Sequence, residues 1–342
     1  CQAEDVIRDA RSSLVGSEMC IRDWLTTGGT DGEPSWKPDG TAIVFERRIP
    51  VTAAAGTATA PDLDGTVLTD ASATFLNDGI EVGMTVTKTN APTWTGTVAA
   101  VPTLDTVLSV TPDAGPVVWT AADTYTVTST RLVVVKSELG VGETQLTTAG
   151  PPYYDDSAPV WSPAGDKIAF ESNRLVGGST NKNIFTMNTD GTLQTSITNA
   201  SGFDDNSNRP AWSPDGSRIA FHANELNTSH ANIWTVDASD GGNPVNVTQS
   251  ATGTDSDRHA AFSPDGTMIV FQRQASGSTA RNIATIAADG SGSATNLTTP
   301  VVPRSDNEPN WQPVLVGVDD ADTVAEGSDV LIPVLDNDTV LT

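Results

Sequence analysis

Residues 210–221 read PAWSPDGSRIAF, and the phrase recurs as PSWKPDGTAIVF at 34–45, PVWSPAGDKIAF at 159–170 and AAFSPDGTMIVF at 260–271, with a shortened PNWQP at 309–313. Its aromatic residues, Trp36, Trp161, Trp212, Phe262 and Trp311, set the period. From Trp161 onward the intervals are 51, 50 and 49 residues, whereas Trp36 to Trp161 spans 125. The first repeat therefore holds roughly 75 residues more than one period.

Within each repeat the local chemistry predicts strands joined by tight turns. In the second, APVW (158–161) is a short strand, and SPAG (162–165) places Pro and Gly where a type I turn prefers them. DKIAFES (166–172) is the return strand, with Ile168 and Phe170 on one face. IFTMN (184–188) follows a Gly/Ser/Asn-rich loop, Asp190-Gly191 makes the next reversal, and LQTSIT (193–198) closes the unit. Four short antiparallel strands per period of about 50, without helical periodicity, describe a β-propeller blade. A single blade cannot bury its two faces. Stacking buries them, which assigns Trp36, Trp161, Trp212, Phe262, Trp311, Phe45, Phe170, Phe221 and Phe271 to the repeat core.

The same residues carry a family resemblance. P-x-W-S-P-D-G-x-x-I-A-F, then I-W-T-V or I-F-T-M, then D-G and L-T, resembles the TolB-type, WD-repeat-like propeller over 24–50 and 130–313. The resemblance implies an all-β fold of four-stranded blades, six in a full protein, serving as a binding platform in the periplasm or outside the cell, or as a gate attached to a hydrolase. Three blades are complete here, one is interrupted and the fifth begins at PNWQPVL; LTTGG (25–29) is similar to the tail of an upstream blade. Ala260 and Phe262 stand where the other repeats have Pro and Trp, and Ala164 stands where they have Asp.

Residues 51–129 interrupt the first blade. Their runs TVLTD, MTVTK, TGTVAAV, TVLSV and TYTVTS predict a small β-barrel or sandwich inserted in a blade loop, either a contact surface or a neutral insertion. Residues 314–342 form a linker and a segment, VDDADTVAEGSDVLIPVLDNDTVLT, that resembles the opening of bacterial cadherin-like or immunoglobulin-like adhesin modules. That resemblance makes Asp319, Asp320, Asp322, Asp336, Asn337 and Asp338 candidate Ca²⁺ ligands, because calcium takes clustered hard oxygens; Asn-Asp clusters also serve as turn residues. Residues 5–23, DVIRDARSSLVGSEMCIRD, resemble translated sequencing-adapter fragments found in metagenomic reading frames, so 1–23 is set aside as artefact or disordered chain.

Five residues before the aromatics stand Asp31, Asp156, Ser207, Asp257 and Asp306. These acids either bond loop amides or form a ring at the propeller mouth for cations or a basic peptide. The formal net charge of −25, from 18 Lys+Arg against 43 Asp+Glu, opposes contact with nucleic acid or anionic membrane. No apolar run reaches the ~20 residues of a membrane span. Only Cys1 and Cys20 are present, so no disulfide framework is expected.

Catalytic patterns are missing from the text. His222, His230 and His259 lack the H-E-x-x-H spacing, no G-x-S-x-G occurs, and the acid pairs Asp155/Asp156 and Asp204/Asp205 sit in equivalent loops of successive repeats. Asn246-Val-Thr and Asn296-Leu-Thr fit an extracellular β-protein. The expectation is a non-enzymatic secreted, cell-surface or periplasmic protein that binds protein or carbohydrate within an adhesin-like chain, without an assigned cofactor unless calcium. The alternative is the gating propeller of a prolyl-oligopeptidase-like hydrolase.

Overall fold

The turn Ser-Pro-Asp-Gly determines how each repeat is built. In the computed structural model Gly216 N donates to Ser213 O at 2.9 Å and Gly266 N to Ser263 O at 2.8 Å, with φ near 70° at both glycines. Asp265 Oδ1 accepts from Ser263 Oγ (2.6 Å) and Thr267 N (3.0 Å), bonds that hold its carboxyl below the usual range; Asp215 does the same for Ser213 and Ser217. Ala164 cannot, and Ser162 Oγ donates instead to Asp166, two positions on, at 2.8 Å. The acceptor moved but survived. Asp265→Ala is expected to lower stability by about 1 kcal/mol, and Asp265→Asn, which keeps an oxygen, by less, read from chemical denaturation.

The structure describes residues 30–299 except 63–65, 76–77, 79, 103–105, 114–117, 149–153, 175–181, 199–207, 225–229 and 249–254, together with Pro309 and the strands 314–316 and 339–341. Trp311, Asp306, Asp204, Asp205, Ser207, the candidate calcium ligands Asp319 to Asp338 and residues 1–23 lie outside the described residues.

Two compact units divide within the second repeat. The first contains an eight-stranded sheet of β1 (Thr30–Trp36), β2 (Ala42–Thr57), β3 (Val67–Thr69), β4 (Thr85–Lys88), β5 (Trp94–Ala100), β6 (Val107–Pro112), β7 (Thr124–Glu138) and β8 (Gly142–Gln145). Its order is β1-β2-β7-β4-β5-β6-β3, with β8 also on β7. The interruption is therefore not hung on loose linkers. Strands β2 and β7 stay paired from Ala42↔Glu138 to Thr57↔Thr124, with one irregularity at Thr52/Ala54, and their far halves become the wall of the inserted domain. Thr59 N donates to Thr69 O at 2.8 Å, bringing β3 back beside the segment after β2 so that the sheet curls on itself. Leu68, Phe75, Val86, Val98, Leu108, Trp119, Tyr125 and Val127 fill its own core.

Regular four-stranded sheets follow. The first is β9 (Asp156–Trp161), β10 (Lys167–Ser172), β11 (Asn183–Asn188) and β12 (Thr195–Ser196); the next is β13 (Asn208–Trp212), β14 (Arg218–Asn224), β15 (Ala231–Asp237) and β16 (Val245–Asn246). The last is β17 (Ser256–Phe262), β18 (Met268–Gln274), β19 (Asn282–Ala287) and β20 (Thr295–Asn296). A short pair, β21 (Val314–Val316) and β22 (Thr339–Leu341), lies further on. Register repeats with the sequence: Trp36 faces Ile43, Trp212 faces Ile219 and Phe262 faces Ile269.

The outermost strands are shorter than the six residues LQTSIT suggested. Only Thr195 and Ser196 pair as strand, because a threonine hydroxyl takes over at the end: Ile184 N donates to Thr198 Oγ (2.9 Å), Ile233 N to Thr248 Oγ (3.1 Å) and Ile283 N to Thr298 Oγ (2.9 Å).

Alternation along each strand sends one set of side chains to each neighbour. In the second unit Ile219, Phe221, Trp234 and Val236 pack back on Ala169, Ile184 and Ile197, while Ala220, Ile233 and Val247 pack forward on Ile269, Phe271, Ala284 and Ile286. Phe45, Phe170, Phe221 and Phe271 are fully buried, as the repeat requires, and Trp161 is buried. Trp212 and Phe262 are only partly covered, and Trp36 is 39% exposed. Trp212 explains the difference: its Nε1 donates to Val160 O, on the strand of the preceding repeat, at 3.3 Å.

Candidate binding face

A β-bulge opens the leading strand of the repeats. Register shifts between Gly32 and Ser35, between Asn208 and Ala211, and between Arg258 and Ala261. Three residues before the aromatic, Glu33, Ala158, Arg209 and His259 take φ of 48°, 47°, 53° and 54°. Left-handed backbone costs a non-glycine residue about 1–2 kcal/mol. The repeats hold it anyway, and the neighbouring acid shows how.

Asp31, proposed for a rim, instead receives Arg47 Nε (2.7 Å) and Nη2 (2.9 Å), and the same guanidinium reaches Glu143 at 2.6 Å. Asp257 receives Arg273 Nε (2.8 Å) and Nη2 (2.7 Å). In both repeats the guanidinium lies 5.1 Å from the ring centre of the core phenylalanine two residues before it, Phe45 or Phe271. Asp156 takes its arginine from further along, Arg174 Nη2 at 2.8 Å, which also bonds Ser172 and lies over Tyr154. Asp156 and Asp257 are 0% exposed. A solvent-facing ring of these acids is thus replaced by internal ion pairs, since a buried carboxylate needs a cation. Burial pushes the Asp257 carboxyl above its usual range, against the pull of Arg273, and the carboxylate in turn raises the Arg273 guanidinium.

The third repeat lacks both partners: Ser207 stands for the acid and Ala223 for the arginine. What occupies that end instead is histidine. His222, the residue after the core phenylalanine, pairs with Asn208 across the bulge and lies 5.7 Å from the ring of His259, at 68°. It is 5% exposed, and its buried Nδ1 has no hydrogen-bond partner among the described residues. Burial, then the charges of Arg258, His259, Arg209 and Lys182, push its pKa down to about 3. The sequence contained this site only as isolated histidines, because the bulge that brings His259 to His222 leaves no mark in spacing. The arginine partners were legible: Arg47 and Arg273 sit two residues after the core phenylalanine in repeats that carry the acid.

The histidine has a measurable consequence. Unfolded, the ring takes a proton near 6.5, and folded only near about 3, so between those values the unfolded state binds more protons and stability falls as pH falls. Between pH 6.5 and pH 4 the loss is expected to be roughly 3 kcal/mol, at ~1.36 kcal/mol per pH unit. His222→Gln should flatten that part of a plot of urea midpoint against pH; an unchanged slope would assign the effect elsewhere.

Among the described residues no group of three or more His, Cys, Asp or Glu is placed to hold a metal ion, and no helix is long and apolar enough to cross a membrane. The model of the TolB beta propeller domain family matches residues 109–317. None of the curated proteins matches the chain. Among solved structures, one assigned as TolB from Agrobacterium tumefaciens is similar at 18% identity and TM-score 0.40, covering 80% of this chain and 82% of that one. TolB from Acinetobacter baumannii is similar at 15% identity and TM-score 0.42, with 84% and 58% covered. Dipeptidyl peptidase 4 from Porphyromonas gingivalis is similar at 11% identity and TM-score 0.41, with 80% and 33% covered. The chain thus spans little more than half of the second and a third of the third. None of these three likenesses bears on function.

Proposed function

The chain belongs to the TolB β-propeller domain family, and on that footing we propose that it is a non-catalytic binding protein of the cell envelope or exterior, holding a protein partner at the bulged ends of its blades. Proteins of this family are interaction domains, typically without catalysis, and its TolB members work in the periplasm. One observation carries the choice of end. At the turn end the first four repeats share Ser/Lys-Pro-x-Gly, bonded to itself, whereas at the bulge end their side chains change from repeat to repeat: Glu33, Ala158, Arg209, His259 at the bulge, and Glu46, Glu171, His222, Gln272 after the phenylalanine. A scaffold fixes what its packing needs and leaves recognition to what varies on it.

A photo-crosslinking residue at position 209 should capture a discrete partner in envelope or secreted fractions, and one at 217, on the turn end of the same strand pair, should not. Capture from 217 alone would refute the assignment. Hydrolysis of ester or peptide substrates by the purified chain would refute the non-catalytic reading.

A further inference from the structure

The third and fourth repeats, both within the second unit, gather positive charge in a strongly negative chain. Acidic residues outnumber Lys+Arg 43 to 18, and the arginines of the bulge ends show the normal result: Arg47, Arg174 and Arg273 each meet a carboxylate. Arg258 does not. Its Nε donates to Ser256 Oγ at 3.3 Å, and among the described residues no carboxylate reaches it. The acids nearest it in sequence are turned elsewhere, Asp257 to a bidentate bond with Arg273 and Asp255, just before the strand, to the same guanidinium at 3.9 Å. Next to Arg258 the bulge presents His259 against His222, whose buried Nδ1 has no partner among the described residues. Arg209, from the bulge of the third repeat, and Lys182, just before β11, add charge close enough to act on His222.

The first and fourth repeats show that an acid and an arginine stabilise the bulge by pairing with each other, and the third repeat has neither. A buried polar atom left unsatisfied costs about 1–3 kcal/mol, so its retention at the polar end of a scaffold points to a ligand that satisfies it.

We propose that Arg258, His259 and His222 form a binding site for an oxyanion, a carboxylate or a phosphate, presented by the partner or by a small ligand. Among the described residues no carboxylate meets the two Nη edges of Arg258, which suit a bidentate contact, and His222 in its Nδ1–H tautomer adds a donor beside His259. The inference rests on the bulge end being the binding end.

The test is calorimetric titration of the full chain, at low ionic strength and pH 7, with inorganic phosphate and separately with acetate and succinate. Saturable binding that weakens about tenfold or more in Arg258→Gln, the loss of one charge-assisted contact, and that Arg258→Lys, which keeps the charge but not the fork, restores only in part, is the expected result. A stronger response to phosphate than to the carboxylates identifies a phosphate-bearing ligand, and the reverse an acidic side chain or chain terminus. Absence of saturable binding by all three anions, or equal binding by Arg258→Gln and the parent with unchanged folding by circular dichroism, overturns the site. Should crosslinking at 209 still capture a partner in that case, the anion site alone has failed; should anions bind while crosslinking fails, the partner reading has failed and the site stands.

Discussion

Arg273→Met is expected to destabilise the second unit by about 3–5 kcal/mol, because it strands the Asp257 carboxylate at 0% exposure without its cation. The size comes from the unpaired charge rather than from the worth of the pair. Replacing both members, Asp257→Leu with Arg273→Met, is therefore expected to recover most of the loss, as buried pairs exchanged for apolar residues of similar volume commonly do. A double-mutant cycle by urea denaturation separates the cases. Additive losses would show that Asp257 and Arg273 act independently, and the third repeat, where Ser207 and Ala223 replace both, would then need another explanation.

Gly241→Ala is expected to cost about 3 kcal/mol or more, summing the left-handed penalty of about 1–2 kcal/mol with an overpacking cost of about 1–3 kcal/mol. Gly241 has φ of 75°, and a Cβ there would collide with the carbonyl oxygen of Ile197, on the preceding blade. Gly290 occupies the equivalent turn one repeat later with Val247 Cα 3.4 Å from its notional Cβ, so Gly290→Ala should lose less. The ordering of the two thermal midpoints tests whether blades stack on these turns. Equal losses would mean that only the backbone conformation matters.

Much of this architecture could be read from the text because propeller repeats write their packing into fixed residue types. PDG and AF recur at constant spacing since every blade solves the same turn and the same stacking problem, and the register Trp212↔Ile219 repeats at Phe262↔Ile269 accordingly. Two things were hidden. The interruption after Phe45 reads as a separate insertion, yet the pairing of β2 with β7 continues through it, since alternation of apolar residue and threonine serves a blade strand and a barrel strand equally. The leading acids read either as local partners of loop amides or as a rim, and only the third dimension shows that Asp31 and Asp257 face arginines sixteen residues later.

The site was hidden for a related reason. His222 and His259 are 37 residues apart, and their contact depends on a bulge whose residues, Arg258 to Ala261, break the two-residue alternation from which strand faces are inferred. The insertion carries its own example: Lys88 Nζ and Asp123 Oδ2 lie 3.0 Å apart, both side chains almost wholly buried. Burial alone would raise the Asp123 carboxyl, but the Thr120 amide, Lys88 and Asn90 hold it at about 2. Nothing in the two short runs containing them announced the pair.

The proposed division, recognition at the bulged ends and scaffolding at the turns, is read out by amide hydrogen exchange of the chain alone and with its captured partner. Added protection at Asn208–Ala211 and Arg258–Ala261, with no change at Ser213–Ser217 and Ser263–Thr267, is the predicted result. Protection confined to the turns, or to the inserted domain, would contradict it.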